Sequence, residues 1–374
     1  MAVTILFTGY APVHFVCFRP LYERLVELPG VEVLLSGGLR NELGDKDHHD
    51  ATALYAPFGV PSDHILPSDR LHETEVDVFF SANTNRIEPR RAALTVEIFH
   101  GMSFRNRAIR PPASGELADL FFVLGPYMMR GFQRAGLAGP DDPRLIKIGF
   151  PKTDRLLDGS LSRRSVLEDF GFAGDRPVVL YAPAGANGNS LQTWGTEPIT
   201  RLAATDRYDV LVKLHDHPRK PEKQRSQLAA LEDDHTRLVR APDVVPSLFA
   251  ADLLITDASS VSNEYALLDR PMVFLDVPEL IAREMVRGGS MLDLETWGRR
   301  AGTVVHDPDE LVVAVAEGLT HPELHRDIRQ EMVRDLFYNP GAATTAAMRW
   351  ASRHLGIGTS TSVRRGPRSE PANR

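Results

Sequence analysis

The segment Leu253–Leu275, LLITDASSVSNEYALLDRPMVFL, holds the densest set of residues able to do chemistry. Its apolar start, Leu253–Ile255, predicts a buried strand that runs into Thr256 and Asp257. Ser259 and Ser260 follow, and Val261, Tyr265 and Leu268 are spaced to bury one face of a helix. A strand-to-helix turn of this kind gathers free backbone N–H groups and the positive end of the helix dipole, which suits a phosphate. Serine hydroxyls add donors, and either serine suits the N-cap. Glu264, one turn into the helix, can reach a ribose hydroxyl while phosphates rest on the helix start. Asp257 can hold the loop by accepting backbone N–H bonds. The competing reading is that the serines only cap a helix and Glu264 only faces water.

Several histidines and a lysine add to this. His100 ends the candidate strand Leu94–Phe99, where open α/β sheets place ligands. A histidine there can accept a proton near neutral pH; its alternative role is a bond to a loop carbonyl. His215 ends Val210–Leu214 beside Lys213 and can stabilise charge on an anionic leaving group, with His217 as the other candidate and an exposed loop histidine as the alternative. Alternation along the strand predicts that Lys213 points the other way. His14 follows the first strand in GYAPVHF and is expected in its loop, touching ligand or serving as an ordinary loop residue. Lys152 and Asp154, near the middle of the chain, either bind ligand or fix a linker. His48 and His49, in Asp45–Asp50, read as a polar surface loop rather than a metal site. The single cysteine, Cys17, rules out an intramolecular disulfide and a cysteine zinc cluster. It reads as a small core residue, with a catalytic thiol as the alternative. HExxH, P-loop and GxSxG motifs do not occur.

Two series of elements must position these residues. Apolar runs at Val3–Thr8, Val31–Leu35, Val76–Phe80, Leu94–Phe99, Leu120–Leu124 and Leu145–Ile148 predict strands buried on both faces, with a helix over Leu21–Leu28. A second series has strands at Val178–Tyr181, Val210–Leu214, Leu238–Val239, Leu253–Thr256 and Met272–Leu275. Helices are expected over Ile199–Thr205, Lys223–Leu231 and Val261–Leu268. Tandem βα series predict an α/β protein of two Rossmann-like domains, 1–150 and 151–340, facing a cleft. Glu323–Leu336 and Ala342–His354 read as terminal helices; residues 341–355 are expected to pack back on the first domain. The tail 356–374 is rich in Gly, Ser, Thr, Pro and Arg and is expected to be disordered, with an anionic membrane surface as its one candidate contact.

Composition bounds the function. The 374 residues are 43% hydrophobic and 25% charged, which fits a globular protein with two cores. A net charge of −7 argues against nucleic acid as a partner. No signal peptide or apolar run long enough to span a bilayer is apparent, so a cytoplasmic location is expected, with peripheral contact at the inner membrane face open.

Further motifs occur in a fixed order: Phe99-His100-Gly101, Gly149-Phe150-Pro151-Lys152-Thr153-Asp154, Tyr181-Ala182-Pro183, Lys213-Leu214-His215, Thr256-Asp257-Ala258-Ser259-Ser260-Val261 and Ala266-Leu267-Leu268-Asp269-Arg270-Pro271. In these the chain resembles the CDP-glycerol glycerophosphotransferase family of teichoic-acid enzymes, over roughly residues 99–275. The resemblance implies the two-domain glycosyltransferase-B (GT-B) fold and transfer of glycerophosphate, or a related alditol phosphate, from a CDP-linked donor to an acceptor hydroxyl with release of CMP. The acceptor would be an alcohol, a glycan or a lipid-linked glycan, and neither a metal nor another cofactor is needed. His100 would be the general base and His215 would meet the donor diphosphate. Ser259, Ser260, Val261, Glu264, Asp257, Lys152 and Pro183 would form the donor side, and His14, Gly101 and Ser103 the acceptor side. The loop Ala184–Gly188 departs from the family's bulky, basic continuation and reads as flexible. The rival readings are a GT-B glycosyltransferase using a nucleotide sugar, a UDP-sugar 2-epimerase, and a nucleotide-binding protein without turnover.

Overall fold

A computed structural model describes residues 2–37, 39–40, 49–82, 88–101, 117–215, 222–286 and 296–358. Ser103, His48, His217 and the tail from residue 359 lie outside the described residues, and only the backbone of His49 is described. The chain forms two six-stranded parallel sheets. The first contains β1 (Val3–Gly9), β2 (Val31–Gly37), β3 (Glu75–Ser81), β4 (Arg91–Glu97), β5 (Leu120–Val123) and β6 (Leu145–Lys147), in the order β2-β1-β3-β4-β5-β6. The second contains β7 (Val178–Tyr181), β8 (Asp209–Val212), β9 (Thr236–Leu238), β10 (Leu253–Thr256), β11 (Met272–Leu275) and β12 (Thr303–Val305), in the order β9-β8-β7-β10-β11-β12.

The strand sequences explain the layering. All four residues of β7, β8, β10 and β11 are buried, as expected of short apolar strands with helices on both faces. In each sheet the order reverses once, between β1 and β3 and between β7 and β10. The carboxyl ends of strands at such a reversal are where open α/β sheets leave a crevice.

The chain passes between the sheets twice. After β6 it runs through Gly149 into the 3-10 helix Pro151–Leu156. It returns by the helix Arg326–Leu336 and then the helix Ala343–Leu355. Two glycines let the return pass close by. A Cβ on Gly125 would stand 2.1 Å from the Leu336 carbonyl oxygen, and one on Gly149, at φ +97°, 2.0 Å from that of Tyr338. The helix Ala343–Leu355 sets Trp350 edge-on against Phe122, with centroids 4.9 Å apart, inside the core of the first sheet. The core between the halves is apolar: Phe132, Phe150, Tyr265, Met332 and Leu336 belong to one cluster.

Two expectations fail locally. The first helix spans Pro12–Leu25, so His14 lies in its first turn and is buried, not in a loop. Pro12 holds N1, where its missing N–H costs nothing and its fixed φ suits a helix start. The strand expected over Leu94–Phe99 is β4, which ends at Glu97; Phe99 takes a left-handed backbone, φ +59°. Residue 303–305 forms a strand that its short apolar run did not announce.

Candidate functional site

The second half-site is built on β7 and β10. Asp257, directly after β10, is fully buried. Its carboxylate accepts from Ala184 N at 2.8 Å, Ser190 N at 2.8 Å and Ser190 Oγ at 2.7 Å, and from its neighbour Ala258 N. Thr256 Oγ1 donates to the Ala182 carbonyl at 2.7 Å, and Asn189 Nδ2 to that of Ala184 at 2.6 Å. These bonds fasten the loop after Tyr181-Ala182-Pro183 to the loop after β10; Pro183, between Ala182 and Ala184, is buried. The reading of Ala184–Gly188 as flexible is therefore corrected at its start. Ala184 is fully buried, and a Cβ on Gly185 would stand 2.7 Å from Cγ of His215. The small residues are needed to admit the His215 ring. His215 itself is exposed, while Lys213 is buried with its ammonium donating to the Leu214 carbonyl at 3.2 Å.

The helix Val261–Tyr265 starts after Ser260, but the expected serine cap is absent. Ser260, at the N-cap, has helical φ and ψ and makes no side-chain capping bond. Ser259 Oγ receives only a 3.5 Å contact from Val261 N. Glu264 is corrected as well. Instead of standing open to a ribose, its carboxylate is buried against Lys152, whose Nζ lies 2.8 Å from Oε1 and 2.8 Å from Oε2. Burial by itself lowers the Lys152 pKa, but Glu264, Cys17 and Asp243 outweigh it and raise the group above the ordinary lysine value. Asp154 accepts from Ala343 N at 2.9 Å and Thr344 N at 2.6 Å, so it anchors the helix Ala343–Leu355 to the linker. Burial raises its pKa against the lowering effect of those amides.

The first half-site lies at the carboxyl ends of β1 and β3. The rings of His14 and His100 stack with centroids 4.4 Å apart, and Tyr10 meets His14 edge-on at 4.3 Å. A Cβ on Gly9 would stand 2.8 Å from Cβ of His14, so glycine is what lets the helix turn in this close. His100 Nδ1 lies 2.6 Å from the Ala82 carbonyl oxygen. A carbonyl only accepts, so Nδ1 carries the proton and the neutral ring keeps its basic lone pair on Nε2. The carbonyl-bonded histidine of the alternative reading is thus also the tautomer a general base requires. Tyr10 N donates to His14 Nδ1 at 3.3 Å, which puts the opposite tautomer there. Burial, then the neighbouring His100, hold the His14 pKa well below the ordinary histidine value. Gly101 follows His100, half-buried.

Cys17 lies one turn beyond His14 on the same helix. Its thiol is buried and its pKa is pushed up to about 12, mainly by burial, so it is no nucleophile at neutral pH. Sequence reading missed Asn189, Ser190 and Gly185; the run of small and amide residues after Tyr181-Ala182-Pro183 is the signal they left. The motif Asp269-Arg270-Pro271 is structural. Fully buried Arg329 donates to Asp269 Oδ1 at 2.9 Å, and Arg270 donates to the Phe249 and Ala251 carbonyls.

Known proteins resemble this chain in sequence and in fold. The sequence model of the family described as CDP-Glycerol:Poly(glycerophosphate) glycerophosphotransferase matches residues 116–344. A teichoic acid glycerol-phosphate primase of Bacillus subtilis (strain 168) is 31% identical over 138 residues, 36% of this chain and 34% of that protein. A teichoic acid poly(ribitol-phosphate) polymerase of Bacillus spizizenii is 30% identical over 211 residues, 46% of this chain and 34% of that protein. The chain thus spans about a third of the curated relatives it matches. The wall teichoic acid polymerase TagF superposes with TM-score 0.62 at 16% identity, over 94% of this chain and 89% of that structure. A UDP-N-acetylglucosamine 2-epimerase from Listeria monocytogenes superposes with TM-score 0.59 at 15% identity, over 95% and 97%. These likenesses carry the fold, which is the GT-B type expected: two Rossmann-like halves facing a cleft. The family match extends over more than half of the sequence, and on it the chain belongs to the CDP-glycerol:poly(glycerophosphate) glycerophosphotransferase family, a family of enzymes.

Proposed function

We propose that the protein transfers glycerophosphate, or a related alditol phosphate, from a CDP-linked donor to an acceptor hydroxyl in the building of a wall or capsule polymer. The observation that carries this reading is the gathering of chemically able residues at the strand-order reversal of each sheet. His100 and His14 lie at one; His215, Ser259, Ser260 and the Asp257-held loops lie at the other.

In this reading the donor diphosphate rests against Ser259, Ser260, the Val261 amide and His215, with Pro183 beside it. Asp257 shapes the loops without touching the donor. The acceptor oxygen attacks the β-phosphorus, forming a new O–P bond as the P–O bond to CMP breaks. The hydroxyl proton passes to Nε2 of His100, while Nδ1 keeps its bond to Ala82 and steadies the imidazolium. His14, held neutral, stacks on the ring without adding a second positive charge. Charge on departing CMP is met by the serine loop and His215, and no metal or other cofactor is invoked. The acceptor, an alcohol or a free or lipid-linked glycan, is held by the first half near His14 and Gly101. Lys152 and Glu264 are assigned away from the donor, since both are buried and paired with each other.

Calorimetric titration with CMP, CDP-glycerol, UDP and UDP-N-acetylglucosamine tests this. Selective binding of the cytidine ligands, weakened about tenfold by Ser260→Ala, is the expected result. Selective binding of the uridine ligands would overturn it in favour of a nucleotide-sugar enzyme, the chemistry named for the epimerase that shares the fold.

A further inference from the structure

Two charged side chains lie in the apolar core between the halves, and the catalytic reading leaves them without a role. Lys152 and Glu264 are each about 95% buried. Lys152 belongs to the 3-10 helix Pro151–Leu156, the first passage of the chain between the sheets. Glu264 belongs to the helix Val261–Tyr265, whose start carries Ser259 and Ser260. The helix Pro12–Leu25 packs against the same 3-10 helix, and its Cys17 thiol lies within the field of both charges. On that helix, one turn away, is His14, stacked on His100. The helix of the acceptor-side histidines therefore packs on the element that carries Lys152, and Lys152 pairs with Glu264 on the helix whose start holds the phosphate-side serines.

A buried ion pair rarely gains net stability over apolar residues of the same shape, because desolvating two charges offsets their attraction. What it has that methyl groups lack is direction. Both carboxylate oxygens lie 2.8 Å from one nitrogen, so displacing the linker helix, and with it the first-half helix Pro12–Leu25 packed on it, from the helix Val261–Tyr265 breaks the pair in a buried site. The apolar residues of the same core, Phe150, Tyr265, Met332 and Leu336, supply burial without that directionality.

We propose that Lys152 and Glu264 form a positioning pair that fixes the register of the two half-sites, holding the acceptor-side histidines at the working distance from the donor phosphates. This rests on the proposed transfer reaction, but it predicts a geometry measurable without it.

The test compares the wild type, Lys152→Met/Glu264→Gln, and the swapped pair Lys152→Glu/Glu264→Lys. The first double variant removes both charges together and so avoids an uncompensated buried ion. Spin labels at Glu27→Cys and Glu317→Cys, both exposed and on opposite halves, report the separation of the halves. Cys17, buried and with a raised pKa, does not compete for label. The expected result is a narrow distance distribution in wild type, a broad one in the neutral variant, and recovery in the swapped pair. With CDP-glycerol and glycerol as probe acceptor, kcat should fall at least tenfold in the neutral variant while CMP affinity changes less than threefold. An unchanged distribution in a folded neutral variant would overturn the proposal, as would a loss of kcat with matching loss of CMP affinity. If the wild type transfers nothing, the reaction reading fails, and the distance distributions still decide the pair.

Discussion

Stacked histidines at 4.4 Å with opposite tautomers make the first half-site sensitive to protons. His14 has its pKa lowered in the folded state, by burial and then by His100. His325 is lowered too, by burial and then by Arg329. The unfolded chain binds the extra protons first, as pH falls through the ordinary histidine value near 6.5. The stabilisation these groups contribute is thus complete above that value and is lost as pH falls below it toward the folded pKa. Urea midpoints should fall from pH 7.5 to pH 5.5, and His14→Gln should flatten part of that fall. At His100 the expectation is kinetic. His100→Ala should slow transfer by about 10²–10⁴-fold, the usual contribution of a general base, and leave CMP affinity within about twofold. Comparable losses in both would argue for a purely structural histidine.

Loops after β7 and β10 show how an element is held by one carboxylate. Asp257 takes up amides from both loops, so Asp257→Ala leaves several buried donors unpaired at about 1–3 kcal/mol each. Thermal unfolding should show a loss of about 3 kcal/mol or more, and a drop in Tm without a change in CMP affinity would contradict the role in the donor loop. Gly185→Ala is the finer probe. Its Cβ would meet the His215 ring at 2.7 Å, and the exposed ring can move away. Stability should therefore change by less than about 1 kcal/mol while CDP-glycerol binding, followed by calorimetry, weakens about tenfold. Equal affinity would remove His215 from the donor site.

At the scale of the whole molecule, the return passage joins the halves. Gly149 combines a left-handed backbone with the Tyr338 carbonyl where a Cβ would be. Gly149→Ala should cost about 3 kcal/mol in urea unfolding, from strain and overpacking together. Trp350→Ala, opening a cavity against Phe122, should cost about 3–5 kcal/mol. If either variant unfolds like wild type, the return passage is not the fastening described.

The sequence by itself determined the alternation of strands and helices, because short runs such as Val178–Tyr181 and Leu253–Thr256 must be buried on both faces wherever they pair. It also marked Ser259, Ser260, His100 and His215 as polar residues following apolar strands, the positions where open α/β sheets leave a crevice. The tertiary structure alone decided which of those residues meet. Pairing β7 with β10 put Asp257 under Ala184 and Ser190, and a helix starting at Pro12 rather than Leu21 put His14 on His100. Glu264 read as a ligand contact because its partner is 112 residues away, on the linker. Local pattern names the charge of such a group, whereas only the folded chain supplies the opposite charge that stands beside it.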